Sequence, residues 1–179
     1  PELLKEILSD ESIESMLVFT RTKHGADRVV KKLAQSEIKA AAIHGNKSQR
    51  QRESALERFK KQQIRVLVAT DIAARGIDIP QVSHVVNYNP PEDPKSYVHR
   101  IGRTGRAGRE GIAILFCDES EVGIFNDIQK HIRIKIPIDE DHSFHEKLSL
   151  HPDRKKKAQK PKKKVSMSKK ARRRRSFRG

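Results

Sequence analysis

The sequence predicts an α/β domain: a parallel sheet with helices on both faces, followed by a basic tail with no core of its own. Three observations carry this. The strand candidates are unbroken apolar runs rather than polar–apolar alternations, which is how a strand covered on both faces reads. They alternate with segments of helical periodicity, the mark of right-handed strand–helix–strand crossovers. The charge is gathered at one end. Fifteen of the 39 Lys and Arg, but one of the 23 acids, fall between His151 and Gly179.

Met16-Leu17-Val18-Phe19 is the first buried strand. Ala26, Val29, Val30 and Leu33 follow at i, i+3, i+4 and i+7, one face of a helix. Ala40 to Ile43 is a second strand. Ser48 opens the next helix, with Gln51 as its capping-box partner and Leu56 and Phe59 as its buried stripe. Val66 to Ala69 is the third strand and Val82 to Val86 the fourth. Pro94 starts a short helix through Tyr97, Val98 and Ile101. Ile112 to Phe116 is the fifth strand. Asp118 and Glu121 cap a last helix that buries Val122, Phe125 and Ile128. The domain is expected over residues 1–138, a linker over 139–153 and the basic tail over 154–179.

Of the +16 net charge, +14 belongs to the segment after Leu150, so the body is nearly neutral. A block of this kind repels itself and is expected to be disordered. Its natural partner is a polyanion whose counterions it releases; a purely solubilising tail is the alternative. One cysteine, Cys117, excludes an internal disulfide framework and leaves no Cys pair for zinc. No run approaches the ~18 apolar residues of a membrane span. Pro1 opens the chain without Met or a signal segment. A cytoplasmic protein, and a fragment of a longer one, is expected.

Ligands of parallel sheets bind beyond the carboxyl ends of the strands, which directs attention to three segments. In Phe19-Thr20-Arg21-Thr22-Lys23, a hydroxyl, a cation and helix N-terminal amides suit a phosphate, although Thr22 equally suits a helix cap. Thr70-Asp71-Ile72-Ala73-Ala74-Arg75-Gly76-Ile77-Asp78 packs a hydroxyl, two acids, an Arg and a Gly into one loop. Gly76 permits a close approach or an unusual turn, and Asp78 suits a sugar hydroxyl. An ordinary capped turn with an Asp–Arg pair is the other reading. His99-Arg100-Ile101-Gly102-Arg103-Thr104-Gly105-Arg106-Ala107-Gly108-Arg109 spaces four arginines by three, interleaved with glycines. Arg103 and Arg106 can point the same way, and a triphosphate would relieve their repulsion.

These segments resemble motifs IV, V and VI of the superfamily 2 helicases. His99-Arg100-Ile101-Gly102-Arg103-Thr104-Gly105-Arg106 is similar to motif VI in its DEAD-box form, and Arg75-Gly76-Ile77-Asp78-Ile79-Pro80 to motif V. Ile43-His44-Gly45-Asn46 with Gln51-Arg52-Glu53 resembles the RNA-contacting segment between them, and Asn46, where many members have Asp, resembles the RhlE-like subgroup. The resemblance implies a RecA-like domain of the P-loop NTPase type, the C-terminal half of an ATP-dependent RNA helicase. It implies that Arg103 and Arg106 act as arginine fingers on ATP and that Asp78 holds the ribose while Gly76 approaches the nucleotide. Thr22, Lys23, Gly45, Arg52 and Thr70 are then RNA contacts. His99 and Arg100 link the arginines to a partner domain, and Arg75 orients motif V.

The chain contains no Gly-x-x-x-x-Gly-Lys-Ser/Thr and no Asp-Glu-Ala-Asp. The phosphate loop, most nucleotide contacts and the Mg²⁺ site are therefore expected in an N-terminal RecA-like domain, and this fragment alone is expected to be inactive. Asp139-Glu140-Asp141-His142 imitates a metal-binding acid pair after a strand, but no phosphate loop accompanies it, and it reads as a solvated turn. The eight histidines lack ligand spacing, so no metal site is expected. A monomer gripping RNA without sequence preference is the expectation. Its rivals are a non-enzymatic RNA-annealing module acting through the tail and half of a DNA helicase.

Overall fold

The computed structural model describes residues 1–105 and 110–145. In chain order they form helix α1 (Glu2–Leu8), strand β1 (Met16–Phe19), α2 (Lys23–Ala34), β2 (Ala40–Ile43), α3 (Gln49–Lys60), β3 (Val66–Ala69) and α4 (Asp71–Ala74). Then come β4 (His84–Asn87), α5 (Pro94–Ile101), β5 (Ile112–Leu115), a 3₁₀ turn (Glu119–Glu121) and α6 (Val122–Ile132). The sheet is parallel throughout, in the order β2-β3-β1-β4-β5.

The pleat divides the core into two layers. Leu17, Ile43, Leu67 and Val85 turn to the side covered by α3 and α4, where Phe59, Ala73 and Ala74 meet them. Met16, Val18, Val66 and Val86 turn to the side covered by α1 and α2, against Leu4, Leu8, Ala26, Val29 and Leu33. The chain leaves β1 over the second face and leaves β3 over the first. The two neighbouring strands thus part company at their carboxyl ends, the point where open parallel sheets hold ligands.

Local chemistry explains most boundaries. Ser48 and Gln51 form the expected reciprocal cap of α3. Asp93 accepts from the Lys95 amide with Pro94 in the first turn of α5. Asp118 and Glu121 also cap each other, but across the 3₁₀ turn, and α6 begins only at Val122.

Four expectations are corrected. The fourth strand starts at His84, because the Val82 amide and carbonyl bond to Arg103 and Thr104 rather than to a ladder. Both faces are covered over β1 and β3, but β5 is an edge with one neighbour, and its Ile112 is 53 % exposed. Leu56 is only partly buried; Ala55 and Phe59 form the stripe of α3. The helices α1 and α4 have no counterpart among the expected elements.

Residues 134–138 form no strand, and the Asp139 carboxylate accepts from the Asp141 amide at 3.0 Å in an exposed turn. The Cys117 thiol is pushed up to about 11 by burial and by Glu121 and Asp118. The basic tail and part of the expected linker lie outside the described residues.

Leu67, fully buried on the interior strand β3, tests the core. Leu67→Ala should cost about 2–5 kcal/mol in urea unfolding; a loss below about 1 kcal/mol would contradict this packing.

Candidate functional site

Two adjoining surfaces gather the residues singled out in the sequence. One is the crevice at the carboxyl ends of β1, β2 and β3. Thr22 caps α2, its hydroxyl accepting the Gly25 amide at 3.0 Å, so the capping reading is correct for its side chain. Lys23 is exposed in the first turn and donates from Nζ to Asn46 Oδ1 at 3.0 Å, joining the loops after β1 and β2. Gly45 is exposed and its surroundings are open. Arg52, one turn into α3, is half-buried and its Nε has no hydrogen-bond partner among the described residues. Thr70 is the N-cap residue of α4, but its hydroxyl makes no capping bond. The crevice therefore gathers an exposed lysine, an open glycine and an uncapped hydroxyl from the loops after β1, β2 and β3.

The other surface is a cavity of about 300 Å³ between α4 and α5. Phe19, Asp71, Ala74, Arg75, Ser96, His99, Arg100 and Arg103 line it. Ser96, His99, Arg100 and Arg103 are spaced i, i+3, i+4 and i+7, so the last turn of α5 carries the same face onward to Arg103.

Arg100 organises this cavity and is 3 % exposed. Its Nε and Nη2 donate to the two Asp71 oxygens at 2.7 and 2.6 Å. Its Nη1 donates to Asn87 Oδ1 at 3.0 Å and to the Asn89 carbonyl at 2.9 Å. The guanidinium carbon lies 5.1 Å from the centre of the Phe19 ring, within cation–π range. Arg100 is thus tied inside its own domain by four hydrogen bonds. The second segment does form an Asp–Arg pair, but the arginine comes from the third.

The other expected residues stand around this hub. Arg75 is exposed at the end of α4, its amide held by the Asp71 carbonyl at 3.2 Å. Gly76 follows with φ +75°, a left-handed conformation that explains the glycine. Exposed Asp78 accepts from Lys60 Nζ at 2.9 Å, and this bond holds its carboxyl below the ordinary value, with Arg103 adding to the effect. His99 is exposed on the cavity wall. The side chains of Arg75 and Arg103 make no hydrogen bond or ion pair among the described residues, so two guanidiniums line the cavity with their donors free. Arg106 lies outside the described residues.

The arginine segment ends a helix instead of following a strand, so its backbone sits near the beginning of β4. The Arg103 carbonyl accepts from Val82 at 3.1 Å, and Thr104 Oγ1 donates to the Val82 carbonyl at 2.6 Å. A Cβ at Gly111 would collide with the Thr104 side chain and the Gly105 backbone, so that close approach requires glycine. Sequence reasoning missed Arg21 and Glu121, which form an ion pair at 2.7 Å that ties the first segment to the lead-in of α6. It also missed Asn87 as a buried acceptor. In the sequence Arg21 and Glu121 read only as a loop cation and a helix cap, and a polar residue closing an apolar strand is the one signal that could have marked Asn87.

A parallel sheet with an arginine-lined cavity on one flank and polar loops at its strand ends defines an open α/β domain of the kind that holds ligands at the carboxyl ends of its strands. The profile of the helicase conserved C-terminal domain matches residues 1–108. The chain resembles the ATP-dependent RNA helicase CshA of Listeria monocytogenes, with 47 % identity over 129 residues, 72 % of this chain and 25 % of that protein. It also resembles the E. coli DEAD-box protein SrmB, solved bound to regulator of ribonuclease activity A, with TM-score 0.72 and 36 % identity over 75 % of this chain and 79 % of that one. The solved C-terminal domain of the DEAD-box protein Dbp5 gives TM-score 0.68 and 38 % identity over 73 % and 77 %. The chain belongs to the helicase conserved C-terminal domain family, in its DEAD-box form, and its fold is RecA-like. It spans about a quarter of the length of the curated relatives it matches.

Removing Arg100 would leave Asp71 and Asn87 without their partner. Arg100→Ala should destabilise the domain by about 3–5 kcal/mol, and Arg100→Lys should recover little of it, since a point charge cannot make the bidentate pair. Urea titration of both variants checks this; an Arg100→Lys protein as stable as the original would contradict the role given to the planar fork.

Proposed function

We propose that this chain is the C-terminal half of an ATP-dependent RNA helicase that opens short RNA duplexes locally, working with an N-terminal RecA-like domain. The observation that carries the reading is the cavity between α4 and α5, lined by Arg75, His99 and Arg103, with the Asp78 carboxylate close enough to Arg103 to feel its charge. Converging guanidiniums in one recess suit a polyphosphate. ATP, bound against a facing domain, supplies the phosphoryl group to be cleaved. Arg103, with Arg106, stabilises the charge that develops there. Asp78 accepts from the ribose once Lys60 yields it, and the left-handed turn at Gly76 keeps side chains out of the approach. Mg²⁺ is assigned mainly to the N-terminal domain, where the resemblance puts the phosphate loop and its hydroxyl.

The strand-end crevice is the RNA half of the mechanism. Thr22, Lys23, Gly45, Arg52 and Thr70 contact the backbone of one strand. Such contacts set register and carry no base information, so binding is largely independent of sequence. Thr70 and Asp71 are consecutive. The RNA face and the arginine cavity therefore meet at the head of α4, where closure on ATP can grip RNA and hydrolysis can release it.

The functional unit is a monomer in the cytoplasm, with the domain at 1–138, the linker at 139–153 and the tail at 154–179 tethering RNA by charge. Asn46 supports assignment to the RhlE-like subgroup.

In the full-length protein, Arg103→Ala should lower RNA-stimulated ATP hydrolysis by up to ~10³–10⁵-fold, the scale of an arginine finger, while leaving RNA binding without nucleotide unchanged. Undiminished hydrolysis would refute the reading. Deleting 154–179 should weaken RNA binding and flatten its log–log salt slope by about 0.7 for each phosphate that the tail no longer neutralises. If the deletion abolished every RNA effect while Arg103→Ala changed nothing, the chain would be an annealing module instead.

A further inference from the structure

The turn after β2 is held from below by a buried histidine that the proposed mechanism does not use. His44 is 1 % exposed and immediately precedes Gly45. The Asn46 amide donates to His44 Nδ1 at 3.3 Å. An amide can only donate, so Nδ1 is an acceptor, and the proton of the neutral ring sits on Nε2. Nε2 lies 3.0 Å from Asp27 Oδ1 and donates to it. The same carboxylate oxygen takes Lys47 Nζ at 2.9 Å.

Asp27 stands one turn beyond Lys23 on α2, on the same face of the helix. That face therefore clasps the turn twice, through Lys23 to Asn46 and through Asp27 to His44 and Lys47. Burial alone would raise the Asp27 carboxyl, but the hydrogen bonds from His44 and Lys47 outweigh it and hold it below the ordinary aspartate value. The remaining amides of the turn are also engaged. Lys47 N–H donates to the His44 carbonyl at 2.9 Å, and Ser48 N–H to Gln51 Oε1 at 2.9 Å. The Gly45 amide, on the exposed apex, has no partner among the described residues. It stands free beside a lysine whose own partner, the Asn46 amide oxygen, is neutral and leaves the ammonium charge intact. One oriented N–H and one undiminished cation are what a backbone phosphate requires.

We propose that Asp27 and His44 are positioning residues for RNA: together they lock the 44–47 turn to α2, so that the Gly45 amide and the Lys23 ammonium act as one preformed phosphate seat. The assignment rests on the RNA groove proposed above. It adds two residues that touch no RNA and act through the turn. Preforming the seat spares its ordering at the moment of binding, which raises affinity without adding a contact.

The test measures RNA-stimulated ATP hydrolysis by the full-length protein against the concentration of a single-stranded oligoribonucleotide. Asp27→Ala removes the acceptor for His44 and should raise the half-saturating RNA concentration about tenfold, with kcat at saturating RNA kept within about twofold. Asp27→Asn keeps an acceptor for Nε2 and should restore the value to within about twofold of the unaltered protein. Both variants remove one negative charge beside the RNA, so a purely electrostatic role for Asp27 predicts tighter RNA binding in both. Asp27→Ala binding RNA as tightly as the unaltered protein, or more so, would overturn the proposal. Hydrogen exchange in Asp27→Ala should quicken more at the Asn46 and Lys47 amides than at the amides of β1 and β3; unchanged protection at the turn would count equally against it. Lys23→Ala separates the two levels. If that variant keeps full RNA affinity, the groove itself is misplaced; if it loses affinity while Asp27→Ala does not, only the positioning role fails.

Discussion

The structure depends on one buried cation. Arg100 has almost no contact with water, and an unpaired guanidinium in that position would cost several kcal/mol. Its burial is tolerable because four of the five N–H donors of the planar fork are met, by two Asp71 oxygens, the Asn87 side chain and the Asn89 carbonyl, and the face of Phe19 covers the plane. These partners come from the ends of β1 and β4, the loop after β4 and the first residue of α4. A single side chain therefore sets the position of α5 relative to the sheet and to α4. The groove between those helices exists at a defined width for this reason, and Arg103 inherits its direction from the same helix face.

The same hub explains how two functional surfaces share so small a body. The strand-end crevice opens because the chain leaves β1 and β3 over opposite faces of the sheet. The arginine cavity opens on the α4 side only. They touch where Thr70 gives way to Asp71, the first residue of α4 and itself part of the cavity wall. On the proposed reading, a shift of α4 driven from either surface is felt at the other through the Asp71–Arg100 pair. Coupling of this kind needs a discrete packed element, and α4 is that element.

The turn after β2 shows a different economy. Its groups are arranged so that one amide alone is left over, and the buried histidine beneath it works only as a tautomer-defined strut. The Lys23–Asn46 bond and the Asp27 carboxylate brace the same loop from one helix. Rigidity at this point costs little, because Asp27 is only half-buried and its bonds from His44 and Lys47 outweigh the desolvation it suffers.

Much of this was legible in the sequence, because local rules govern it. Unbroken apolar runs located β1, β2 and β3 to the residue, and reciprocal capping marked the start of α3 through Ser48 and Gln51. The arginine–glycine spacing and the loop around Gly76 identified the residues that line the cavity. What failed was decided by partners distant in sequence. Val82 reads as strand but spends its backbone on Arg103 and Thr104. The helix α4 is too short to show a period. Arg100 looks like any other arginine of its segment until Asp71, 29 positions earlier, is folded against it. Asp27 and His44 are ordinary residues in a line of text and become a strut only across a helix and a strand. Hydrophobic period and capping chemistry act within a few residues and are written in the chain; the direction of a polar side chain depends on which acceptor the packed sheet brings to it, and only the tertiary structure supplies that.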